Sequence, residues 1–201
     1  EQLETALEQV SFKKFASKKI SCISNIAKTS FGITFGLQSL TLQLKLLIQQ
    51  INFIEQQVHD VEIQIKQLLH KINTPITTIP GIGDIIGATI LGEIGDIERF
   101  SNPSKLVAYA GIDASVHQSG DYISTNNKMS KRGSPYLRTA LFRAALIASV
   151  HDPVFKAYYQ KKRSEGKHHL TCLGAVARKL CYTIHAILKN NCEYKVQLPT
   201  E

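Results

Sequence analysis

Residues 37–72 carry an unbroken heptad repeat, and no other feature limits the fold of this chain so tightly. With Leu37 as an a position, the a sites are Leu37, Leu44, Ile51, Val58, Ile65 and Ile72, and the d sites are Leu40, Leu47, Ile54, Val61 and Leu68. Eleven apolar sites stay in register over five heptads with no Gly or Pro between them, which predicts a coiled coil rather than a globular helix. The g sites Gln43, Gln50, Gln57 and Gln64 are uncharged, so charge does not choose the strand orientation. Pairing of two copies through 37–72 is the favoured reading, and the competing one is an intramolecular hairpin with residues 1–30, whose own pattern is weaker. Asn73-Thr74-Pro75 ends the helix, because Pro lacks the N–H a helix needs and disfavours α geometry just before itself.

The rest of the chain reads as short, well-capped helices. One covers Ile85 to Leu91, and a second is capped by Ser101 with Pro103 in its first turn and is closed by Gly111. Residues 112–130 are polar, with the short alternating run Tyr122-Ile123-Ser124, and predict a loop or irregular hairpin. Ser134 and Pro135 start a helix to about Val150; Asp152 and Pro153 start another to about Ser164, which Gly166 stops. A last helix runs from about His169 to Asn190. The expected fold is therefore mainly α: a long coiled-coil helix followed by a compact helical domain that contains a helix-hairpin-helix at 75–95. The expected divisions are a helical or linker remnant over 1–36, the coiled coil over 37–73, the helical domain over 74–192 and a tail over 193–201.

Charge is segregated. Residues 1–119 hold ten Lys and Arg against eleven Asp and Glu, whereas residues 120–201 hold fourteen against five. A polyanionic partner suits such an excess, since each neutralised phosphate releases a counterion; a solvated basic surface is the other reading. The four cysteines, Cys22, Cys172, Cys181 and Cys192, form no C-x-x-C pair and have no His at zinc-finger spacing. Cys172 and Cys181 sit in an apolar helical stretch and read as buried thiols of a reducing compartment. No run reaches the ~18–20 apolar residues of a membrane span, and the first residues do not form a secretory signal.

Three motifs carry chemistry. Ile79-Pro80-Gly81-Ile82-Gly83, followed by the apolar run from Asp84 to Leu91, has the form of a helix-hairpin-helix turn. Its glycines accept positive φ and let backbone N–H groups near a helix N-terminus approach a DNA phosphate, so Gly81, Ile82 and Gly83 are candidate backbone contacts. The alternative is a tight turn between two core helices. Residues 128–138 place Lys128, Lys131, Arg132 and Arg138 around a turn that feeds a capped helix, with Arg143 about a turn further on, which suits a phosphate clamp. Lys161-Lys162-Arg163 reads first as a solvated helix end and second as a DNA contact. Between the motifs, His117-Gln118-Ser119-Gly120 offers a hydroxyl that either serves the turn or, if activated by the cationic cluster, attacks a phosphodiester; His117 is either its base or a surface residue.

Taken together, I-P-G-I-G, E-I-G-D-I-E-R-F, L-V-A-Y-A-G-I, H-Q-S-G and M-S-K-R-G-S-P-Y-L-R, in this order from Ile79 to about Leu141, resemble the C-terminal domain of insertion-sequence transposases related to the Piv DNA invertase. That group includes bridge-RNA-guided recombinases. The resemblance implies a two-part enzyme. A RuvC-like N-terminal domain would hold Mg²⁺ on four carboxylates, and a C-terminal transposase domain, here 74–192, would supply a serine that becomes linked to the scissile phosphate. The Ser-Gly motif maps that serine onto Ser119, with Ser130 and Ser134 as rivals. Duplex DNA at element ends, a guide RNA and a second copy of the chain are the partners so implied, in a bacterial cytoplasmic, nucleoid-associated setting. About 36 residues precede the coiled coil, too few for a RuvC-like sheet, so the sequence reads as a fragment, a truncated frame or a degenerate copy, with no metal site of its own. Asp84, Glu93, Asp96 and Glu98 read as structural. A catalytically silent DNA- or RNA-binding dimer is the rival reading.

Overall fold

A computed structural model describes residues 17–32, 36–113, 118–119, 122–123 and 129–196; for 118–119 and 122–123 the description is of the backbone. Among these residues there are seven α-helices: α1 Ser17–Thr29, α2 Leu37–Ile72, α3 Asp84–Ile94, α4 Pro103–Tyr109, α5 Pro135–His151, α6 Pro153–Ser164 and α7 His169–Asn190. Two short strands, β1 Gln118–Ser119 and β2 Tyr122–Ile123, pair antiparallel with Ser119 opposite Tyr122. The backbone groups into two units, residues 1–56 and 57–201.

Helix α2 covers the whole predicted repeat in 36 residues. It stops where Asn73 turns into the left-handed region at φ 50°, a conformation Asn tolerates better than most side chains, and Pro75 follows. The helix-hairpin-helix expected over 75–95 takes a different form. Its first arm is a 3₁₀ turn of four residues, Pro75–Thr78, capped by Thr74, and only its second arm, α3, is an α-helix. The Thr-Pro start and the short distance to Pro80 leave no room for a full α-helical arm.

In the second unit, α5 and α7 form the centre. Leu137, Leu141, Ala144, Ala145 and Ala148 of α5 are buried with Val176, Ala177, Leu180 and Ile184 of α7, and Ile76, Ile79, Ile82, Ile90 and Ile94 close the core from the N-terminal side. The small residues of α5 let the I-P-G-I-G turn approach its backbone. Gly81 has φ +90°, and a Cβ there would stand 2.5 Å from the Ala144 carbonyl oxygen. Caps set the helix boundaries. Ser134 Oγ accepts from Leu137 N at the head of α5, and Asp152 Oδ1 accepts from Val154 N and Phe155 N at the head of α6. At α4 the cap is Asn102, not Ser101: its side chain accepts from Lys105 N. Pro103 occupies the first helical position, so the capping residue has to be the one directly before it.

Cys172 and Cys181 are buried free thiols, and burial pushes the Cys181 thiol up to about 12. Tyr194, past the last helix, is tied down as well. Tyr194 N donates to Thr78 Oγ1, and the Tyr194 hydroxyl donates at 2.9 Å to Asp152 Oδ2, a carboxylate that is 1% exposed. Among the described residues no helix is long and apolar enough to cross a membrane.

Candidate nucleic-acid interface

The basic turn after Met129 is held by backbone geometry. Ser130 N donates to Asp113 O at 2.9 Å, Lys131 N to Gly111 O at 3.1 Å and Ser134 N to Tyr109 O at 2.8 Å, which lays residues 130–134 along 109–113. Two glycines make the contact so close. A Cβ on Gly133 would lie 1.9 Å from the Tyr109 carbonyl oxygen, and one on Gly111, itself at φ +65°, would lie 2.8 Å from Gly133 N. Lys131 sits in the left-handed region at φ 55°. Side chains brace the same turn: Ser130 Oγ donates to Asp113 Oδ1, Ser134 Oγ donates to Glu93 Oε2 at 2.6 Å, and Arg138 Nη1 donates to Ala110 O at 3.2 Å. Lys131 and Arg132 are exposed on this fixed loop.

Beside the turn, α5, α6 and α7 enclose an open cleft of about 1340 Å³. Lys131, Arg138 and Arg143 line one part of it, Lys162, Lys167 and Arg178 line another, and among the described residues no carboxylate lines it. Glu165 stands just outside. It accepts from Lys162 at 2.8 Å and from Lys167 at 2.9 Å, and hydrogen bonds from these two ammonium groups, Lys162 first, hold its carboxyl down at about 2. Arg163 Nη1 donates to Lys167 O at 2.7 Å and fixes the turn between α6 and α7. Lys162, first read as part of a solvated end, thus belongs to the cleft, while Lys161 and Arg163 are exposed. Lys167 and Arg178 were absent from the sequence reading. The available signal was the i, i+4 row Leu170, Gly174 and Arg178, all of which line the cleft.

The I-P-G-I-G turn is committed inward over two of its three candidate residues. The Ile82 side chain is buried and its N–H donates to Ile79 O, while Gly81 is pressed against α5. Gly83 is exposed at the N-cap of α3, with nothing within 4 Å of the space a Cβ would take. Asp84 opens α3 and stands 3.9 Å from Lys66. The other acidic residues of this region are occupied too, with Asp96 capping Glu98 N and Glu98 standing 3.7 Å from Lys189.

Ser119 lies in β1, and Asp113 and Ser130, on either side of it in sequence, are joined by the backbone bond above. Lys128 and His117 fall outside the described residues. Of the rival serines, Ser134 both caps α5 and donates to Glu93, and Ser130 is paired with Asp113. Among the described residues no three His, Cys, Asp or Glu side chains converge as a metal site, so none is assigned to the Mg²⁺ that the resemblance implies.

Residues 73–160, which hold α3 to α5, the basic turn and most of α6, match the pattern described as Transposase IS116/IS110/IS902 family. This segment is similar to the transposases of that family. Relatives agree. The insertion element IS900 42 kDa protein of Mycobacterium paratuberculosis is 33% identical over 62% of this chain and 31% of its own length. The pilin gene-inverting protein of Moraxella bovis is 32% identical over 62% of this chain and 39% of its own. The insertion element IS110 43.6 kDa protein of Streptomyces coelicolor is 28% identical over 65% and 32%. The matched part thus spans about a third of the length of these relatives.

Proposed function

We propose that this chain is the DNA-engaging, serine-bearing part of a transposase or site-specific recombinase that acts at the ends of a mobile element. The observation that carries the reading is the locked turn. Lys131 and Arg132 are exposed on it, shortly after Ser119 in sequence and within the residues that match the transposase family. In this reading Ser119 Oγ attacks a backbone phosphorus. The Oγ–P bond forms as one P–O ester bond breaks, and the serine proton ends on the departing strand's oxygen. Lys131, Arg132 and Arg138, joined by Lys128 and Arg143, hold the phosphate and offset the charge that develops on its oxygens. Gly83 presents the outward edge of the I-P-G-I-G turn to a flanking phosphate, while Gly81 and Ile82 set that turn's shape. Chemistry of this kind is tested in the whole protein: labelled element-end DNA is trapped as a covalent protein–DNA adduct that survives denaturation. Loss of the adduct in Ser119→Ala, with retention in Ser130→Ala, is the expected result; an adduct in Ser119→Ala contradicts the assignment.

The same reading includes pairing of copies through α2. Leu40, Leu47, Ile54, Val61 and Leu68 of its d row are 49–58% exposed in the single chain, a continuous apolar stripe that a partner helix covers. A second reading is favoured by the lack of a converging carboxylate group among the described residues: a DNA-binding dimer without cleavage of its own, or an RNA-binding one. Salt-dependent duplex binding with no adduct from any preparation selects the first, and tighter binding of RNA than of duplex DNA at matched salt selects the second.

A further inference from the structure

The cleft between α5, α6 and α7 has a chemistry that a duplex backbone alone does not use. Among the described residues, six Lys and Arg side chains surround an apolar floor in which Leu146 is 47% exposed and Leu170 is 60% exposed, beside the half-buried rings of Phe142 and Tyr158. Exposed leucines are ordinary when scattered, but here they are gathered inside a concave lining that holds no carboxylate among the described residues. In a duplex the base faces are stacked inside and only sugars and phosphates meet a groove of this kind. A single strand turns its base faces outward, and apolar and aromatic side chains among arginines are what such faces settle on. An acidic amphipathic protein helix also combines negative charge with apolar surface. The arginines favour nucleic acid, because Arg138, Arg143 and Arg178 offer flat donor forks that match phosphate oxygens and stack on rings.

We infer that the cleft takes an unpaired stretch of nucleic acid, with phosphates on Arg143 and Arg178 and a base against Tyr158, Leu146 and Leu170. This rests on the DNA reading above and extends it, placing single-stranded nucleotides next to the turn that grips the scissile phosphate. Glu165 occupies Lys162 and Lys167 in the meantime and gives them up when a phosphate arrives.

The test is fluorescence anisotropy on the full chain, with a labelled strand of about 16 nucleotides, within the span such grooves cover, and the blunt duplex of the same sequence. Wild type is expected to bind the single strand more tightly. Leu170→Ser, at an exposed position that leaves the fold intact, and Tyr158→Ala are each expected to weaken single-strand binding on the order of 10-fold, while duplex binding stays within about 2-fold. Tyr158→Phe keeps the ring and is expected to keep the affinity. Arg143→Ala is expected to weaken both forms. If Leu170→Ser and Tyr158→Ala leave the single strand unaffected while Arg143→Ala weakens the duplex, this inference fails and the DNA reading stands. If no cleft variant changes either form, this inference fails, and the DNA reading stands or falls separately with Lys131 and Arg132. An acidic helical peptide whose binding depends on Leu170, with single-strand binding indifferent to it, overturns the inference in favour of a protein partner.

Discussion

Adding one methyl group to Gly133 is expected to dismantle the basic turn. The new Cβ would meet the Tyr109 carbonyl oxygen at 1.9 Å and its carbon at 2.5 Å, and backbone atoms cannot swing away as a side-chain tip does. Residues 130–134 must then separate from 109–113, which breaks the bonds from Ser130 N, Lys131 N and Ser134 N. At about 1 kcal/mol net for each, these contribute about 3 kcal/mol. The Ser134–Glu93 bond, charge-assisted and part-buried, adds about 1.5–3 kcal/mol if it is lost as well. The expected destabilisation of Gly133→Ala is thus roughly 3–6 kcal/mol. The chain has seven Tyr and no Trp, so urea unfolding is followed by tyrosine fluorescence and circular dichroism, with amide exchange at Lys131 and Ser134 to catch a turn that detaches without global unfolding. Gly92→Ala is the control: nothing lies within 4 Å of its Cβ position, and it sits inside α3, so it should stabilise by about 0.5–1 kcal/mol. An unchanged midpoint and unchanged exchange in Gly133→Ala would refute the reasoning.

Tyr194→Phe removes the hydroxyl that donates to the buried Asp152 carboxylate and is expected to destabilise by about 1.5–3 kcal/mol in urea titration. Burial and that carboxylate push the Tyr194 phenol above its ordinary value of about 10. The folded state therefore holds the proton more tightly, its advantage is complete below about pH 10, and stability falls at higher pH; Tyr194→Phe is expected to lose that part of the fall. Glu165, held at about 2 by Lys162 and Lys167, contributes stability that is present above about pH 4.5 and lost as pH falls through about 2, so a carboxyl-carbon NMR titration is expected to give a midpoint well below that of a free Glu. Replacing Leu47 and Ile54 of the exposed α2 stripe by Asn is expected to shift the chain to monomer in sedimentation, and an unchanged mass would remove the pairing from the account.

Where a residue's neighbours along the chain decide its role, the sequence showed it. The heptad row gave α2 to its last residue, and Ser134-Pro135 and Asp152-Pro153 gave the starts of α5 and α6, because a cap acts within three residues. At α4 the same logic slipped by one residue, since both Ser101 and Asn102 cap well and only the position of Pro103 separates them. The turn at 79–83 was legible as a turn but not in its facing. Gly81 takes the expected positive φ, yet the partner it approaches is the Ala144 carbonyl, set by the small-residue face of α5 more than 60 residues away. The cleft was legible by half. Lys131, Arg138 and Arg143 lie close together in sequence, but Lys162, Lys167 and Arg178 join them only because α6 and α7 fold back against α5. The pairing of Gly111 with Gly133 was invisible for the same reason, although both glycines stood in the quoted motifs.

Salt-dependent binding of duplex DNA tests the central claim, that the locked basic turn grips phosphate. For wild type, the logarithm of the binding constant is expected to fall linearly with the logarithm of salt concentration, and Lys131→Ala and Arg132→Ala are each expected to reduce that slope by about 1 without unfolding the domain. A slope that neither substitution changes would place the phosphate contacts elsewhere and contradict the account.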